Sequence, residues 1–155
     1  MRDGAANRQP TNWHNAGKSI LITDIEHIGM SVQSLDAAKK TLCDLMGFPV
    51  TLEKSLPQFG CNVAFIKAGA SVLEVVEWDD KTALQGQAAQ IDHLALKVKD
   101  IEQVVSQLRG AGVQFAATEL GIAERMGRRF WYIYTSPEST FGIRFQLVEE
   151  IQPAA

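Results

Sequence analysis

Cysteine is scarce in this chain. Cys43 and Cys61 are the only two, and neither has partners at metal-ligand spacing, which excludes a cysteine-built metal site. Cys43 falls inside a helical pattern and Cys61 inside a strand pattern, so both read as reduced, partly buried thiols. Basic charge is not in surplus either: a net charge of -3 leaves no broad positive surface for nucleic acid. No apolar run suggests a membrane span, and 46% hydrophobic with 21% charged residues is the balance of a folded chain rather than a disordered one. The opening "MRDGAANRQPTNWHNAGK" lacks the apolar core of a signal peptide, so residues 1–20 are expected to form a flexible extension, with His14 solvated, and the expected location is cytoplasmic. At 155 residues the chain has room for one ordinary domain, or for two small modules sharing a core.

What the chain does contain is a repeat. "IEHIGMSVQSL", starting at Ile25, and "IDHLALKVKDI", starting at Ile91, superpose at an offset of 66 that aligns His27 with His93. The same offset matches Glu26 to Asp92, Ile28 to Leu94, Met30 to Leu96, Val32 to Val98 and Leu35 to Ile101. A helix pattern follows each strand. Ser34 can cap the first, whose apolar face is Leu35, Ala38, Leu42 and Leu45 and whose stop is Gly47. Asp100 and Gln103 make a capping-box pattern for the second, with Ile101, Val104, Val105 and Leu108 as its stripe and Gly110 or Gly112 as its stop.

Three short strands complete each half. In the first they are "TLEKSL", "CNVAFIKA" and "SVLEVVEW"; in the second, "VQFAAT", "RFWYIYTS" and "GIRFQLVEE", with "ELGIAERMGR" as a Gly-rich, charged divider. The pattern is βαβββ twice: module one at about 22–79, a linker at about 80–89 and module two at about 90–150. Neither half alone buries enough apolar surface for comfortable stability, so residues 21–152 are expected to form one domain with a shared sheet. The fold class is α+β, with a mixed sheet whose helices cover one side.

Strand alternation says where the polar residues point. Ile25, His27, Gly29 and Ser31 share one face and Glu26, Ile28, Met30 and Val32 the other. In the repeat, Ile91, His93, Ala95 and Lys97 oppose Asp92, Leu94, Leu96 and Val98. Leu94, Leu96 and Val98 suit helix packing, which puts both histidines on the concave side. The last strands correspond too, at an offset of 72 that matches Glu74 to Gln146; Glu74 shares its face with Val72, Val76 and Trp78, Gln146 with Arg144, Val148 and Glu150. A lone strand histidine is most often a satisfied core residue, and a lone mid-strand Glu most often faces solvent. Histidines paired at one repeat position and Glu/Gln at another are a different matter. Under a pseudo-twofold axis, His27, Glu74, His93 and Gln146 converge, either bonded to one another or sharing a borderline divalent ion: Zn²⁺, Ni²⁺, Co²⁺, Mn²⁺ or Fe²⁺.

The segments "IEHIGMSVQSLDAA", "SVLEVVEW", "IDHLALKVKDIEQVVSQLRGAGV" and "PESTFGIRFQLVE" resemble those of the vicinal oxygen chelate superfamily, which includes glyoxalase I, methylmalonyl-CoA epimerase, extradiol dioxygenases and bleomycin-resistance proteins. The resemblance runs from about Ile22 to Glu150. It implies a cup-shaped sheet with helices on its outer face, one divalent metal ion held by His27, Glu74, His93 and Gln146, and a homodimer. The ending "SPESTFGIRFQLVE" is closer to the epimerase pattern than to that of glyoxalase I. Two positions depart from it: Gln146 stands where the last ligand is usually Glu, and Gln58 where epimerases often carry an acid. An amide cannot accept and return a proton as a carboxylate does.

The implied function is a metal-dependent lyase or isomerase that polarises a substrate carbonyl and moves a proton on the adjacent carbon, through an enediolate. Its substrate would be a small molecule, such as an acyl-CoA, a glutathione hemithioacetal or another α-oxygenated carbonyl compound, and neither nucleic acid nor membrane is an expected partner. Glu74, the only carboxylate in the ligand set, is the candidate catalytic base. Arg125, Arg128 and Arg129, read as part of a loop before "FWYIYTS" and as a mobile lid, are candidate anion contacts, with Arg144 near the cup mouth. Trp78, Phe130, Trp131, Tyr132 and Tyr134 are candidate apolar walls. Two alternatives stay open: an iron-dependent extradiol-type dioxygenase, and a metal-free small-molecule-binding protein of the antibiotic-resistance kind.

Overall fold

The computed structural model describes residues 21–153. The extension expected at residues 1–20, with His14, lies outside them. Eight strands form one mixed sheet: β1 (Ile22–Val32), β2 (Val50–Leu56), β3 (Cys61–Ala68), β4 (Ser71–Trp78), β5 (Ala89–Val98), β6 (Gly121–Arg125), β7 (Arg128–Tyr134) and β8 (Phe145–Glu150). Their spatial order is β2-β3-β4-β1-β5-β8-β7-β6. β1 runs parallel to β4 and β5 parallel to β8, while β1 and β5 pair antiparallel at the centre. The two halves are thus related by a pseudo-twofold axis between β1 and β5, and both come from one chain. The sheet curls into a half-barrel, the cup expected for an α+β chain of this pattern.

Each helix covers the convex face of its own half. α1 (Leu35–Lys39) packs through Leu35 on Val32, Ala64, Ile66 and Val75; α2 (Ile101–Gly110) packs Ile101, Val104 and Val105 on Val98, Ile133 and Leu147. Ser34 Oγ accepts from the Ala37 N–H and Asp100 from the Gln103 N–H, as the cap patterns require. Two further carboxylates finish these helix starts. Glu77 Oε2 accepts from the Leu35 N–H at 2.7 Å, and Glu149 accepts from the N–H groups of Asp100 and Ile101 at 2.8 and 2.9 Å. Glu77 and Glu149 are repeat partners, each three residues beyond Glu74 or Gln146, so each last strand presents one polar residue to the cup and the next odd-spaced one to a helix N-terminus. None of the described helices is long and apolar enough to cross a membrane.

The chain departs from the sequence pattern in three places. Leu45 does not join the α1 stripe: after Lys39 the helix widens into a π-helical turn over Lys40–Leu45, the phase slips, and Leu45 is 75% exposed while Cys43 and Phe48 pack instead. "VQFAAT" is not a strand. Phe115 bridges Thr135 alone and packs against the α2 cluster, under the Arg109 guanidinium. The missing strand is β6, inside the segment read as a divider, because Met126 (φ 52°) and Gly127 (φ 72°) both adopt the left-handed conformation of a two-residue hairpin turn and fold β6 onto β7. The expected Arg-rich lid loop is therefore a tight hairpin. Finally, register shifts between β1 and β5 disturb strict alternation, and Met30 joins Ser31 on the cup side.

Candidate metal centre and cup

The central pair β1/β5 brings His27 and His93 to the cup floor, 3% and 5% exposed, and β4 and β8 bring Glu74 and Gln146 beside them. His27 Nε2 lies 3.0 Å from His93 Nε2; Glu74 Oε2 lies 3.1 Å from the first and 3.4 Å from the second. Gly29, directly opposite His93 in the ladder, makes this approach possible, since a Cβ at position 29 would fall 2.1 Å from His93 Cε1. Gln146 is 8% exposed; its Nε2 donates to the Tyr134 hydroxyl at 2.9 Å, and its Oε1 is buried without a hydrogen-bond partner.

The proton bookkeeping of this cluster is informative. His27 Nδ1 is bonded to Glu26 and His93 Nδ1 to Asp92, the latter at 2.7 Å. Both carboxylates can only accept, so both Nδ1 atoms carry a ring proton, and whenever the two imidazoles are neutral their Nε2 lone pairs face each other. The Glu74 carboxylate joins them, and the unpaired Gln146 oxygen belongs to a residue that lines the same cavity. While the rings are neutral, three electron-rich atoms thus meet in a buried site with no donor of their own, which is the chemistry of a cation site. The spacing fits as well: ligands about 2.1 Å from one ion at right angles are about 3.0 Å apart. His27, His93 and Glu74 therefore suit a divalent ion, with Glu26 and Asp92 orienting the imidazoles and Gln146 in the same cavity lining.

Electrostatics follow from the same contacts. Burial works to lower the pKa of His27, yet its bonds to Glu26 and Glu74 outweigh it and hold the value above that of free imidazole; Asp92 and Glu74 do the same for His93. Burial opposes ionisation of Glu74, but the two imidazoles win and keep it well below the usual carboxylate range. Glu26 is lowered to about 2 because His27 and Arg125 outweigh its desolvation. Burial, with the charge of Glu74, pushes the Tyr134 hydroxyl upward, so it stays protonated.

Above this cluster opens a cavity of about 580 Å³, a size suited to a small-molecule ligand. Its walls include Leu52, Phe65, Trp78, Phe130, Tyr132 and Tyr134, with Gln58 and Lys54 toward the β2 side. Among the arginines singled out from sequence, Arg125 and Arg144 line it. Arg125 pairs with Glu26 at 2.8 Å and stacks over Phe130; Arg144 lies over the Tyr134 ring at 4.0 Å and 3.3 Å from Asp92. Arg128, Arg129 and Trp131 do not line the cavity. Arg128 forms an ion pair with Glu150 at the sheet edge, Arg129 alternates to the convex face, and Trp131 packs against the α2 cluster. Alternation along β7 is the reason: Phe130, Tyr132 and Tyr134 take the concave side and leave Arg129 and Trp131 the other. Glu26 and Asp92 are functional candidates that carried a visible signal, an acid directly before each repeated histidine, but alternation assigned them to the opposite face.

The profile of the Glyoxalase/Bleomycin resistance protein/Dioxygenase superfamily matches residues 26–132. No curated protein sequence matches the chain. Solved structures share its fold at low identity. A hypothetical protein from Bacillus halodurans C-125 superposes with a TM-score of 0.71 at 24% identity, over 85% of this chain and 97% of its own. Methylmalonyl-CoA epimerase from Mycobacterium tuberculosis does so with a TM-score of 0.72 at 22% identity, over 87% and 93%. A variant of the Streptomyces coelicolor methylmalonyl-CoA epimerase in complex with 2-nitronate-propionyl-CoA gives 0.70 at 24%, over 84% and 99%. With paired βαβββ halves around a two-histidine centre and a profile match over most of the described residues, the chain belongs to the glyoxalase/bleomycin resistance protein/dioxygenase superfamily.

Proposed function

We propose that this protein is a divalent-metal-dependent lyase or isomerase of the epimerase or glyoxalase kind, acting on a small carbonyl compound and moving a proton on the carbon beside the carbonyl. One observation carries the reading: the Nε2 atoms of His27 and His93 and Glu74 Oε2 lie within 3.0–3.4 Å of one another, with Gln146 Oε1 buried and unpaired. His27, His93, Glu74 and Gln146 would hold the ion. When bound, it would polarise the substrate carbonyl and so acidify the adjacent carbon.

The chain's own residues supply the rest. Glu74 Oε2 faces both imidazoles, while Oε1 has no hydrogen-bond partner among the described residues; once released from the imidazole contacts that depress its pKa, this carboxylate would take up and return a proton at the cup floor. Glu26 and Asp92 are engaged with arginines and histidines. Glu124 also lines the cavity, but from the exposed β6 wall, and Glu74 is the carboxylate that meets the imidazoles at the floor, which favours removal and return of the proton by the same group rather than two-base inversion. Arg144 uses only Nη1 toward Asp92, which leaves its other donors for an anionic group of the substrate. Phe65, Trp78, Phe130 and Tyr132 exclude water around the reacting carbon. Acyl-CoA compounds are the first substrates to try, because solved epimerases share the fold. A homodimer, measured as mass in solution by light scattering, is part of the proposal.

The test is solvent exchange. The protein loaded with Zn²⁺, Co²⁺, Mn²⁺ or Ni²⁺ is incubated in deuterated water with branched acyl-CoA esters and glutathione hemithioacetals. Deuterium at the carbon beside the carbonyl, lost in Glu74→Gln, is the expected result. No exchange with any of them, in protein that holds its ion, overturns the reading.

A further inference from the structure

Each of the two histidines stands at the end of a three-residue chain. On one side Arg125 Nη2 donates to Glu26 Oε1 at 2.8 Å, and Glu26 Oε2 accepts from His27 Nδ1. On the other, Arg144 Nη1 reaches the Asp92 carboxylate at 3.3–3.4 Å, and Asp92 Oδ2 accepts from His93 Nδ1 at 2.7 Å. Both guanidiniums are pinned on aromatic faces, Arg125 at 4.5 Å from the centre of the Phe130 ring and Arg144 at 4.0 Å from that of Tyr134.

The histidines and their acids are repeat copies; the arginines are not. The repeat position of Arg144 is Val72, and the stretch of the first half that corresponds to Arg125, "EKSLPQF" at residues 53–59, contains no arginine. Two arginines from non-equivalent strand ends thus complete the same arrangement, one of them crossing from the second half to the histidine of the first. Sequence duplication does not account for that convergence, whereas a shared need to fix two imidazoles does.

We propose that Arg125 and Arg144 are positioning residues which, through Glu26 and Asp92, hold His27 and His93 with Nε2 aimed at the ion. The proposal rests on the metal reading above. Each carboxylate accepts one bond from an imidazole and one from a guanidinium, so its plane is set by two partners, and the ring it holds cannot rotate without breaking one of them. The Arg125 arm is the tighter: its side chain is 18% exposed against 37% for Arg144. Loss of Arg125 should therefore loosen the centre more.

Affinity for Zn²⁺ and Co²⁺ is measured by isothermal titration on the full chain and on Arg125→Met, Arg125→Lys, Glu26→Gln, Arg144→Met, Asp92→Asn and the Arg125→Met/Glu26→Gln double variant. The visible spectrum of the Co²⁺ form reports ligand geometry. Glu26→Gln and Asp92→Asn should weaken binding about 10- to 100-fold. Arg125→Met should weaken it by a smaller factor, Arg144→Met by less again, and Arg125→Lys should recover part of the loss. The double variant should bind no more weakly than Glu26→Gln alone, since Arg125 acts through that acid. Additive losses, or unchanged affinity and Co²⁺ spectrum in Arg125→Met and Glu26→Gln while the parent binds normally, overturn the inference and leave the metal reading standing. A parent that takes up neither ion overturns both. Should Arg125→Met not fold, Arg125→Lys and Glu26→Gln, which keep charge or shape, decide the matter.

Discussion

His27 and His93 meet Nε2 to Nε2 at 3.0 Å although 66 positions separate them, and two neutral rings would have no proton to share there, because Glu26 and Asp92 hold both Nδ1 hydrogens. Such a contact is stable only with a positive charge between or upon the rings. The protein should accordingly bind one divalent ion per chain, and His27→Ala or His93→Ala should abolish stoichiometric binding. Elemental analysis of the purified proteins, with the shift in thermal midpoint on adding Zn²⁺, Co²⁺, Mn²⁺ or Ni²⁺, checks this.

Gln146 gives a prediction with the opposite sign. Its Oε1 is buried and unpaired, and its Nε2 bond goes to a tyrosine hydroxyl that can donate as well as accept. Gln146→Glu should keep a partner in Tyr134 and add a negative charge at the ion, tightening Zn²⁺ binding by about tenfold or more. Gln146→Ala should weaken it. Competition with a chromogenic chelator measures both.

Gly29 is required by a close approach rather than by its backbone angle. Any side chain there would overlap the His93 ring, with Cβ 2.1 Å from Cε1. Gly29→Ala should force His93 aside, costing about 1–3 kcal/mol in stability and lowering metal affinity in the same protein. Urea unfolding and titration with Zn²⁺ read the two effects separately.

The Glu77 carboxylate caps α1 through the Leu35 N–H and pairs with Lys81 at 2.8 Å; these bonds outweigh the small cost of its burial and hold its pKa below the ordinary glutamate value. A group depressed in the folded state contributes stability above its unfolded pKa and loses it as pH falls through the folded one. Glu77→Gln should thus lower stability by about 1 kcal/mol at neutral pH, and the difference from the parent should shrink below about pH 4.5. Thermal midpoints of both proteins between pH 3 and 8 test the sign.

Much of this was legible in the chain. The duplicated "IEH" and "IDH" strands, the helices that follow them and the Glu74/Gln146 correspondence needed only period and offset, because strand alternation and helix caps act over a few residues. Other features were hidden for identifiable reasons. β6 is not legible because "GIAER" has little alternation of its own and exists as a strand only through the left-handed Met126–Gly127 turn and its pairing with β7. Leu45 left its helical stripe through a π-turn that no periodicity marks. Arg129, expected on a loop, and Trp131, expected as a cup wall, lie on β7, whose phase puts both on the outside.

What the sequence by itself determined is the paired architecture and the four polar residues at equivalent places, because side-chain direction along a strand is a local property. What only the tertiary structure decided is the distance between them and the company they keep. The antiparallel register of β1 on β5, and the absence of a side chain at Gly29, set two imidazoles within 3.0 Å. The bulges that break alternation turned Glu26 and Asp92 toward the histidines, and the curl of the sheet carried Arg125 across to Glu26. Those contacts join residues as many as 99 positions apart, and only the closing of the sheet brings them together.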